Sequence, residues 1–102
     1  MMRVLAAPEE RTLTVLLKNM FNPAEETEKD WDIELREDVK SECERKYGPV
    51  TKIFLDKHSK GEIMVGFSTK DGSTAALAGL NGRYFGGQQV TASFVPDIML
   101  VG

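Results

Sequence analysis

The chain has 102 residues, of which 41% are hydrophobic and 28% are charged, and its formal net charge is −3. This length fits one small domain, and no apolar run approaches the roughly 20 residues of a membrane span. The single cysteine excludes an internal disulfide, and with only one histidine beside it we expect no zinc site and no cofactor. Because Lys and Arg dominate affinity for phosphates, the acidic balance argues against a simple nucleic-acid binder.

The spacing of apolar and turn residues predicts four strands and two helices in the order β-α-β-β-α-β. The predicted strands span residues 12–18, 50–56, 62–67 and 88–94, and the predicted helices span residues 30–47 and about 69–80. In the first helix Leu35, Val39 and Cys43 recur at every fourth position and form one buried stripe. Ser68 or Thr69 can cap the second helix. This order is that of an α+β ferredoxin-like sandwich, with a four-stranded antiparallel sheet and both helices on one face.

The same elements set the boundaries of the domain. We expect residues 1–11, which lack periodicity and contain Pro8, to form a flexible N-terminal arm. Residues 12–96 form the folded domain, and residues 97–102 form a tail that either adds a turn of helix or stays loose. No internal repeat or linker composition indicates a second domain within the chain.

The third predicted strand lies in a stretch, residues 60–67, that partly fits the octamer typical of RNA-binding sheets. Four positions match that octamer: Lys60, Gly61, Val65 and Phe67. Glu62 and Met64 stand where the octamer has base-stacking aromatics, and Leu16 takes the corresponding place in the first strand. Each missing stack forfeits about 1–3 kcal/mol of binding, and Glu62 adds a negative charge where phosphates would pass. The frame of an RNA-binding sheet is therefore present without its stacking platform.

The negative charge is concentrated in one segment. Residues 25–46 hold ten acids and five bases, a net −5, so the rest of the chain carries +2. Glu34, Asp38 and Glu42 repeat at every fourth position and form a ridge of carboxylates beside the buried stripe. An acidic helix is most often a solvated surface, but like charges at this spacing repel, and a basic partner would relieve that repulsion. The helix dipole favours acids only in the first turn, so it does not explain Asp38 and Glu42.

A second candidate feature is the triplet Arg83-Tyr84-Phe85, which follows the second helix and precedes a Gly-Gly turn. We expect a loop here, with Arg83 and Phe85 projecting to the same side and Tyr84 pointing away. A loop phenylalanine beside an arginine is often only a plug for the core. In this topology, however, the triplet and the acidic helix can meet on the helical side of the sheet, away from the RNA-binding face.

Together these features resemble the U2 auxiliary factor homology motif (UHM) family, whose members have an RNA-recognition-motif fold and bind protein. The resemblance covers about residues 12–96. It is carried by the degenerate octamer, by residues 37–43 in an acidic first helix, and by Arg83-Tyr84-Phe85, which matches the family's Arg-x-Phe.

The resemblance implies a mechanism in which the domain captures a short disordered peptide with a run of Lys or Arg followed by one Trp. Phe85 would stack on the indole, and Arg83 would pair with Glu42 to close the pocket wall. The three carboxylates of the ridge would receive the basic residues. Tyr84 takes the variable position of the triplet, so the resemblance assigns no contact to it.

The resemblance also implies a biological setting. The whole protein would be a nuclear pre-mRNA splicing factor that carries this domain after RNA-binding domains and an arginine-serine-rich region. Its partners would be early spliceosome proteins that define the branch site or the 3′ splice site, and an RNA helicase. The domain itself would bind RNA weakly or not at all, and it would have no membrane partner and no enzymatic activity.

Other readings of the residues stay open. The runner-up is an RNA-binding module that uses lysines around the sheet, namely Lys18, Lys52, Lys57 and Lys60. A homodimerisation or scaffold domain comes third. The only tryptophan, Trp31, lies between two acids and is a poor ligand for a second copy, so we expect it to pack. An enzyme is least supported, because no motif pairs a nucleophile with a base and His58 stands in a predicted turn. We expect Cys43 to pack as a small hydrophobic residue.

Overall fold

The computed structural model describes residues 11–85 and 87–100. Strands, α-helices and short 3-10 turns alternate along this part of the chain. The strands are β1 (Thr14–Lys18), β2 (Val50–Asp56), β3 (Glu62–Phe67), β4 (Tyr84–Phe85), β5 (Gln88–Gln89) and β6 (Thr91–Val95). The α-helices are α1 (Trp31–Lys46) and α2 (Lys70–Leu80), and the 3-10 turns are Pro23–Glu25 and Asp97–Leu100.

The main sheet has four strands in the order β2-β3-β1-β6, and every neighbouring pair is antiparallel. Helix α1 packs against β2, and α2 packs against β1, β3 and β6. Both helices cover the same face, so the predicted ferredoxin-like sandwich is confirmed. We call the other side of this sheet the open face. Strands β4 and β5 form a separate two-stranded hairpin.

The core lies between the sheet and the two helices, where the period-2 pattern of the strands meets the helical stripes. Val15 and Leu17 of β1 and Ile63 and Val65 of β3 are at most 1% exposed. From the first helix the core takes the predicted stripe, with Val39 and Cys43 buried and Leu35 packed against them; from the second helix it takes Ala76. Cys43 is therefore the small core residue expected from the sequence.

The helices begin at different kinds of residue. At the start of α2, Oγ1 of Thr69 accepts a hydrogen bond from the Gly72 amide at 3.0 Å, so Thr69 is the predicted cap. Helix α1 begins one residue later than predicted, because Asp30 adopts a left-handed conformation (φ 63°) with no side-chain cap bond. The next residue, Trp31, packs its ring on Phe21 with centroids 5.1 Å apart, so Trp31 is the packing residue expected from its acidic surroundings.

The fourth predicted strand is divided in the structure. The sequence predicts one strand over residues 88–94, but Gln88–Gln89 pairs with Tyr84–Phe85, and only Thr91–Val95 joins the main sheet beside β1. Between them Val90 turns into the core and is 2% exposed. The expected loop at Tyr84–Phe85 is accordingly the first strand of a hairpin, and a single apolar run could not reveal its change of partner.

The C-terminal 3-10 turn, Asp97–Leu100, packs on one end of the open face. Oδ1 of Asp97 accepts hydrogen bonds from the Leu13 amide at 2.9 Å and from the Thr14 hydroxyl at 3.0 Å. A Cβ added to Gly66 in β3 would lie 2.9 Å from the Leu100 side chain, so the leucine sits directly over that glycine. Of the two outcomes expected for residues 97–102, the turn of helix is present over Asp97–Leu100.

The predicted N-terminal arm lies outside the described residues except for Arg11, which is exposed and donates to the Thr74 hydroxyl at 3.2 Å. Neither α1 nor α2, the helices of the described part of the chain, is long and apolar enough to cross a bilayer.

Candidate functional site

The open face lacks aromatic side chains at the positions that usually stack on RNA bases. The strand register places Phe54, Met64, Leu16 and Ser93 side by side across β2, β3, β1 and β6. The two positions that usually carry aromatics in this row, Met64 and Leu16, are half-buried aliphatic residues. Phe54 on β2 is an aromatic on this face, and it is 49% exposed. Phe54 lies outside both the octamer and its partner strand, so those two patterns do not indicate it.

Two further features of the open face weaken it as a site for RNA. Glu62 pairs with Asp56, so two acids lie next to each other at one end. At the other end Leu100 covers Gly66.

Gly61, one of the four octamer matches, has a structural role. Gly61 has φ 106°, and its carbonyl accepts from the Met20 amide at 2.9 Å. An added Cβ would collide with the Phe21 carbonyl oxygen. Glycine is required here by packing against the loop after β1, which explains one octamer match without any contact to nucleic acid.

A pocket of about 450 Å³ opens on the helical side, between α1 and the β4–β5 hairpin. Its floor is apolar and includes core residues that the sequence did not assign to a site: Leu17, Met20, Cys43 and Val90. One wall comes from α1 and the other from the triplet Arg83-Tyr84-Phe85. The acidic helix and the triplet therefore meet around this pocket on the helical side of the sheet, as the sequence predicts.

Glu42 is the most constrained of the predicted acids. Its Oε2 lies 3.0 Å from Nζ of Lys46, one turn later on α1, and 3.6 Å from Nη1 of Arg83 on the hairpin. The hydrogen bond from Lys46 and the nearby positive charges hold the pKa of Glu42 below its usual value, against the opposing effect of partial burial. The Arg83–Glu42 pair bridges the two walls at one end of the pocket.

The other two acids are placed differently. Asp38 lines the pocket one turn before Glu42 and is exposed. Glu34 is also exposed but lies a further turn away and does not line the pocket. The ridge thus runs from the pocket wall outward along α1, so Glu34 can meet only those parts of a ligand that extend beyond the pocket.

The aromatic residues of the triplet remain accessible. Phe85 is 45% exposed and Tyr84 is 73% exposed, although both line the pocket. The sequence predicts that Tyr84 points away from Arg83 and Phe85, but in the structure Tyr84 also contributes to the lining of the pocket. A half-exposed phenylalanine ring beside an apolar floor is a surface on which a second aromatic ring can stack.

Two additional pocket residues could not be assigned from the sequence. Arg45 lines the pocket near the end of α1, where the carboxylate ridge gives way to positive charge, and Ser41 lines it between Asp38 and Glu42. The pocket is acidic towards Asp38 and basic towards Arg45 and Arg83.

The thiol of Cys43 is part of the pocket floor but is poorly reactive. Cys43 is 2% exposed, and burial raises the pKa of its thiol to about 11, with Glu42 and Glu44 adding to the effect. A thiolate is the reactive form of cysteine, and it is scarce at neutral pH when the pKa is this high. Within the described residues no group of three or more His, Cys, Asp or Glu side chains could hold a metal ion.

Comparison with known proteins identifies the family. The family model described as RNA recognition motif matches residues 36–91, more than half of the chain. The chain belongs to the RNA recognition motif (RRM) family. A second model, described as the linker between RRM2 and RRM3 domains in RBM39 protein, matches residues 2–31.

Several curated relatives resemble the chain over most of its length. It is 39% identical over 96 residues to the Arabidopsis thaliana DNA-damage-repair/toleration protein 111, covering 86% of this chain and 23% of that protein. It is 39% identical over 80 residues to the mouse 17S U2 SnRNP complex component HTATSF1, covering 76% and 10%. It is 35% identical over 100 residues to the mouse poly(U)-binding-splicing factor PUF60, covering 89% and 16%. The chain thus spans less than a quarter of these relatives.

Solved structures agree on the fold. The RNA15 RRM superposes with a TM-score of 0.65 at 23% identity, and the match covers 90% of this chain and 99% of that one. At this identity the likeness establishes the fold and carries no information about the ligand.

Proposed function

We propose that this RRM is a UHM-type protein-interaction module, which binds short basic peptides containing one Trp through the pocket between α1 and the β4–β5 hairpin. The observation that carries the proposal is the pocket itself: the half-exposed Phe85 ring faces an apolar floor beside Asp38 and Glu42. A basic, aromatic peptide matches the acidic end of the pocket at Asp38 and the apolar character of its floor.

The free energy of binding such a peptide comes mainly from its tryptophan, with smaller contributions from its charges. Burying one tryptophan removes roughly 150–250 Å² from water, which corresponds to about 4–6 kcal/mol of gross stabilisation. Ordering a disordered peptide takes back several kcal/mol, and each exposed charge pair returns about 0.2–1 kcal/mol. These contributions alone fall short of the about −8 kcal/mol that corresponds to a Kd in the low micromolar range, so an affinity of that order also needs apolar contacts between the rest of the peptide and the pocket floor. The affinity should weaken as salt screens the charges.

We further propose that the whole protein is a nuclear pre-mRNA splicing factor. The relatives named above include a U2 snRNP component and a splicing factor, which supports this setting. Within the UHM family, residues 18–23, Trp31-Asp32 and residues 94–96 resemble the C-terminal domain of the splicing factor and coactivator CAPER-alpha. The linker model over residues 2–31 fits a domain that follows other RRMs. The ligand peptides would belong to branch-site or 3′ splice-site proteins, or to an RNA helicase.

Calorimetric titration with a synthetic peptide of several arginines followed by one Trp tests the proposal. We expect micromolar binding to the wild-type domain and none with a peptide in which Trp is replaced by Ala. Asp38→Lys should weaken binding more than Glu34→Lys, because only Asp38 lines the pocket. Both substitutions should slow association, since they remove the charge that steers the basic peptide. Equal affinity for the Trp and Ala peptides would contradict the proposal.

A filter-binding assay with single-stranded RNA at physiological salt separates this function from the runner-up. Micromolar RNA binding without any response to the Trp peptide would favour the module that uses Lys18, Lys52, Lys57 and Lys60. On the present proposal RNA binding is weak, because the open face has one exposed aromatic, Phe54, beside a pair of acids.

A further inference from the structure

The hairpin that carries Tyr84 and Phe85 is closed by its own backbone. The Val90 amide donates to the Arg83 carbonyl at 2.7 Å, and the Gly82 amide donates to the Val90 carbonyl at the same distance. These bonds define the shape of the hairpin. They do not by themselves fix its position over the pocket, which depends on contacts with other elements.

The buried side chain of Val90, which follows β5, anchors one end of the hairpin in the core. Among the described residues, two polar side-chain contacts also join the hairpin segment to other elements. On the β4 side Arg83 pairs with Glu42 at 3.6 Å, but this ion pair is half-exposed and Glu42 is shared with Lys46. Exposed pairs of this kind contribute little to rigidity. On the β5 side Nδ2 of Asn19 donates to the Gln89 carbonyl at 3.0 Å, and Gln89 lies opposite Tyr84 in the hairpin.

The backbone around Asn19 is suited to hold such a contact. Asn19 directly follows β1 and has φ 66°, a left-handed conformation that asparagine adopts more readily than most residues. The next residue, Met20, belongs to the pocket floor, is 5% exposed, and donates its amide to the Gly61 carbonyl at 2.9 Å. Asn19 therefore connects the pocket floor, at the neighbouring Met20, to strand β5 of the hairpin wall.

We propose that Asn19 is a positioning residue for the peptide pocket: its side-chain amide holds β5, and through β5 it holds Phe85 at the pocket wall before any ligand arrives. The benefit for binding rests on the function proposed above. A preformed wall spares the peptide the entropy of ordering the hairpin, so its loss weakens affinity without removing any contact to the peptide.

The test compares Asn19→Gly and Asn19→Asp with the wild-type domain. Glycine keeps φ 66° accessible but lacks the side-chain amide that donates to Gln89. Aspartate keeps the shape of the side chain but places a carboxylate oxygen, which cannot donate, against the Gln89 carbonyl. Asn22→Gly is the matched control, because Asn22 caps only the Pro23–Glu25 turn and does not line the pocket. We would measure hydrogen exchange at the Val90 and Ile63 amides, and the Kd for the Trp peptide.

We expect the Val90 amide to exchange faster in both Asn19 variants than in the wild type. Both variants should also bind the peptide less tightly. Each change should be roughly two- to tenfold, the effect of one hydrogen bond. Exchange at Ile63, in the centre of the sheet, should stay unchanged, as should every readout of Asn22→Gly. Unchanged exchange at Val90, or an equal acceleration at Ile63, would overturn the positioning role. If the wild-type domain binds no Trp peptide, the proposed function fails, while the exchange data still decide whether Asn19 holds the hairpin.

Discussion

Replacing Phe85 with Ala should reduce affinity for the Trp peptide by roughly a hundredfold. Phe85 is 45% exposed, so about 90 Å² of a ring worth roughly 200 Å² remains for a ligand to cover. At about 25 cal/mol/Å² this area contributes about 2 kcal/mol, and aromatic stacking adds about 0.5–1.5 kcal/mol. The sum of about 3 kcal/mol corresponds to that hundredfold change in Kd.

Phe54→Ala is the matched control for this measurement. Phe54 is 49% exposed, but it lies on the open face, with the whole sheet between it and the pocket. Both substitutions remove a similar apolar area, so non-specific loss of hydrophobic surface would affect them alike. Isothermal titration calorimetry of the three proteins with one peptide, together with their thermal unfolding, separates loss of binding from loss of folding.

Two results would refute the reasoning. If Phe85→Ala binds within threefold of the wild type, the ring is not the stacking surface and the pocket assignment is wrong. If Phe54→Ala loses as much affinity as Phe85→Ala, the peptide lies on the open face rather than between α1 and the hairpin.

Three further predictions follow from the same contacts. Lys46→Gln should strengthen binding of the basic peptide two- to threefold by calorimetry, because Glu42 loses a competing cation at 3.0 Å. Gly61→Ala should destabilise the domain by about 2–4 kcal/mol in urea unfolding, since its Cβ would collide with the Phe21 carbonyl at a positive φ. The free energy of unfolding should fall as pH rises from about 9 towards 11: the Cys43 thiol has its pKa raised to about 11 in the fold, so the unfolded chain releases that proton first.

Each of these predictions has a control within the chain. Lys40→Gln removes the same charge from α1, but it is Lys46 that lies 3.0 Å from Glu42, so an equal gain in affinity would reduce the Lys46 effect to net charge. Gly87→Ala has a positive φ but nothing within 4 Å, and an equal loss of stability there would mean that the close contact at Gly61 costs little. Cys43→Ala should flatten the alkaline decline, and an unaltered slope would assign it to other groups.

The sequence predicted the regular elements well where one physical pattern decided the outcome. Strands β2 and β3 begin and end where the alternation of apolar residues and the turn residues indicate. The Thr69 cap of α2 could be foreseen because its hydroxyl bonds a residue three positions away. These features depend on neighbours that are close in the sequence.

Other features, which depend on partners distant in the sequence, were not predicted. The split of residues 88–94 arises because β5 pairs with β4 and β6 pairs with β1, while Val90 enters the core between them. The bond from Asn19 to the Gln89 carbonyl spans 70 positions of the sequence and leaves no local pattern. The exposure of Phe54 likewise follows from its register beside Met64 rather than from its own strand sequence.

An acidic domain with an RRM fold is unexpected if the domain binds RNA. The structure explains the combination, because the acidic residues and the face that usually binds RNA lie on opposite sides of the sheet. The acids of α1 lie on the helical side, and the strands of the sheet separate them from the open face. The aliphatic side chains of Leu16 and Met64 on the open face therefore do not alter the floor of the pocket, because alternate residues of the same strands, such as Leu17, point to the other side. A fold of this kind can lose one binding face and keep another, since the two faces share strands but few side chains.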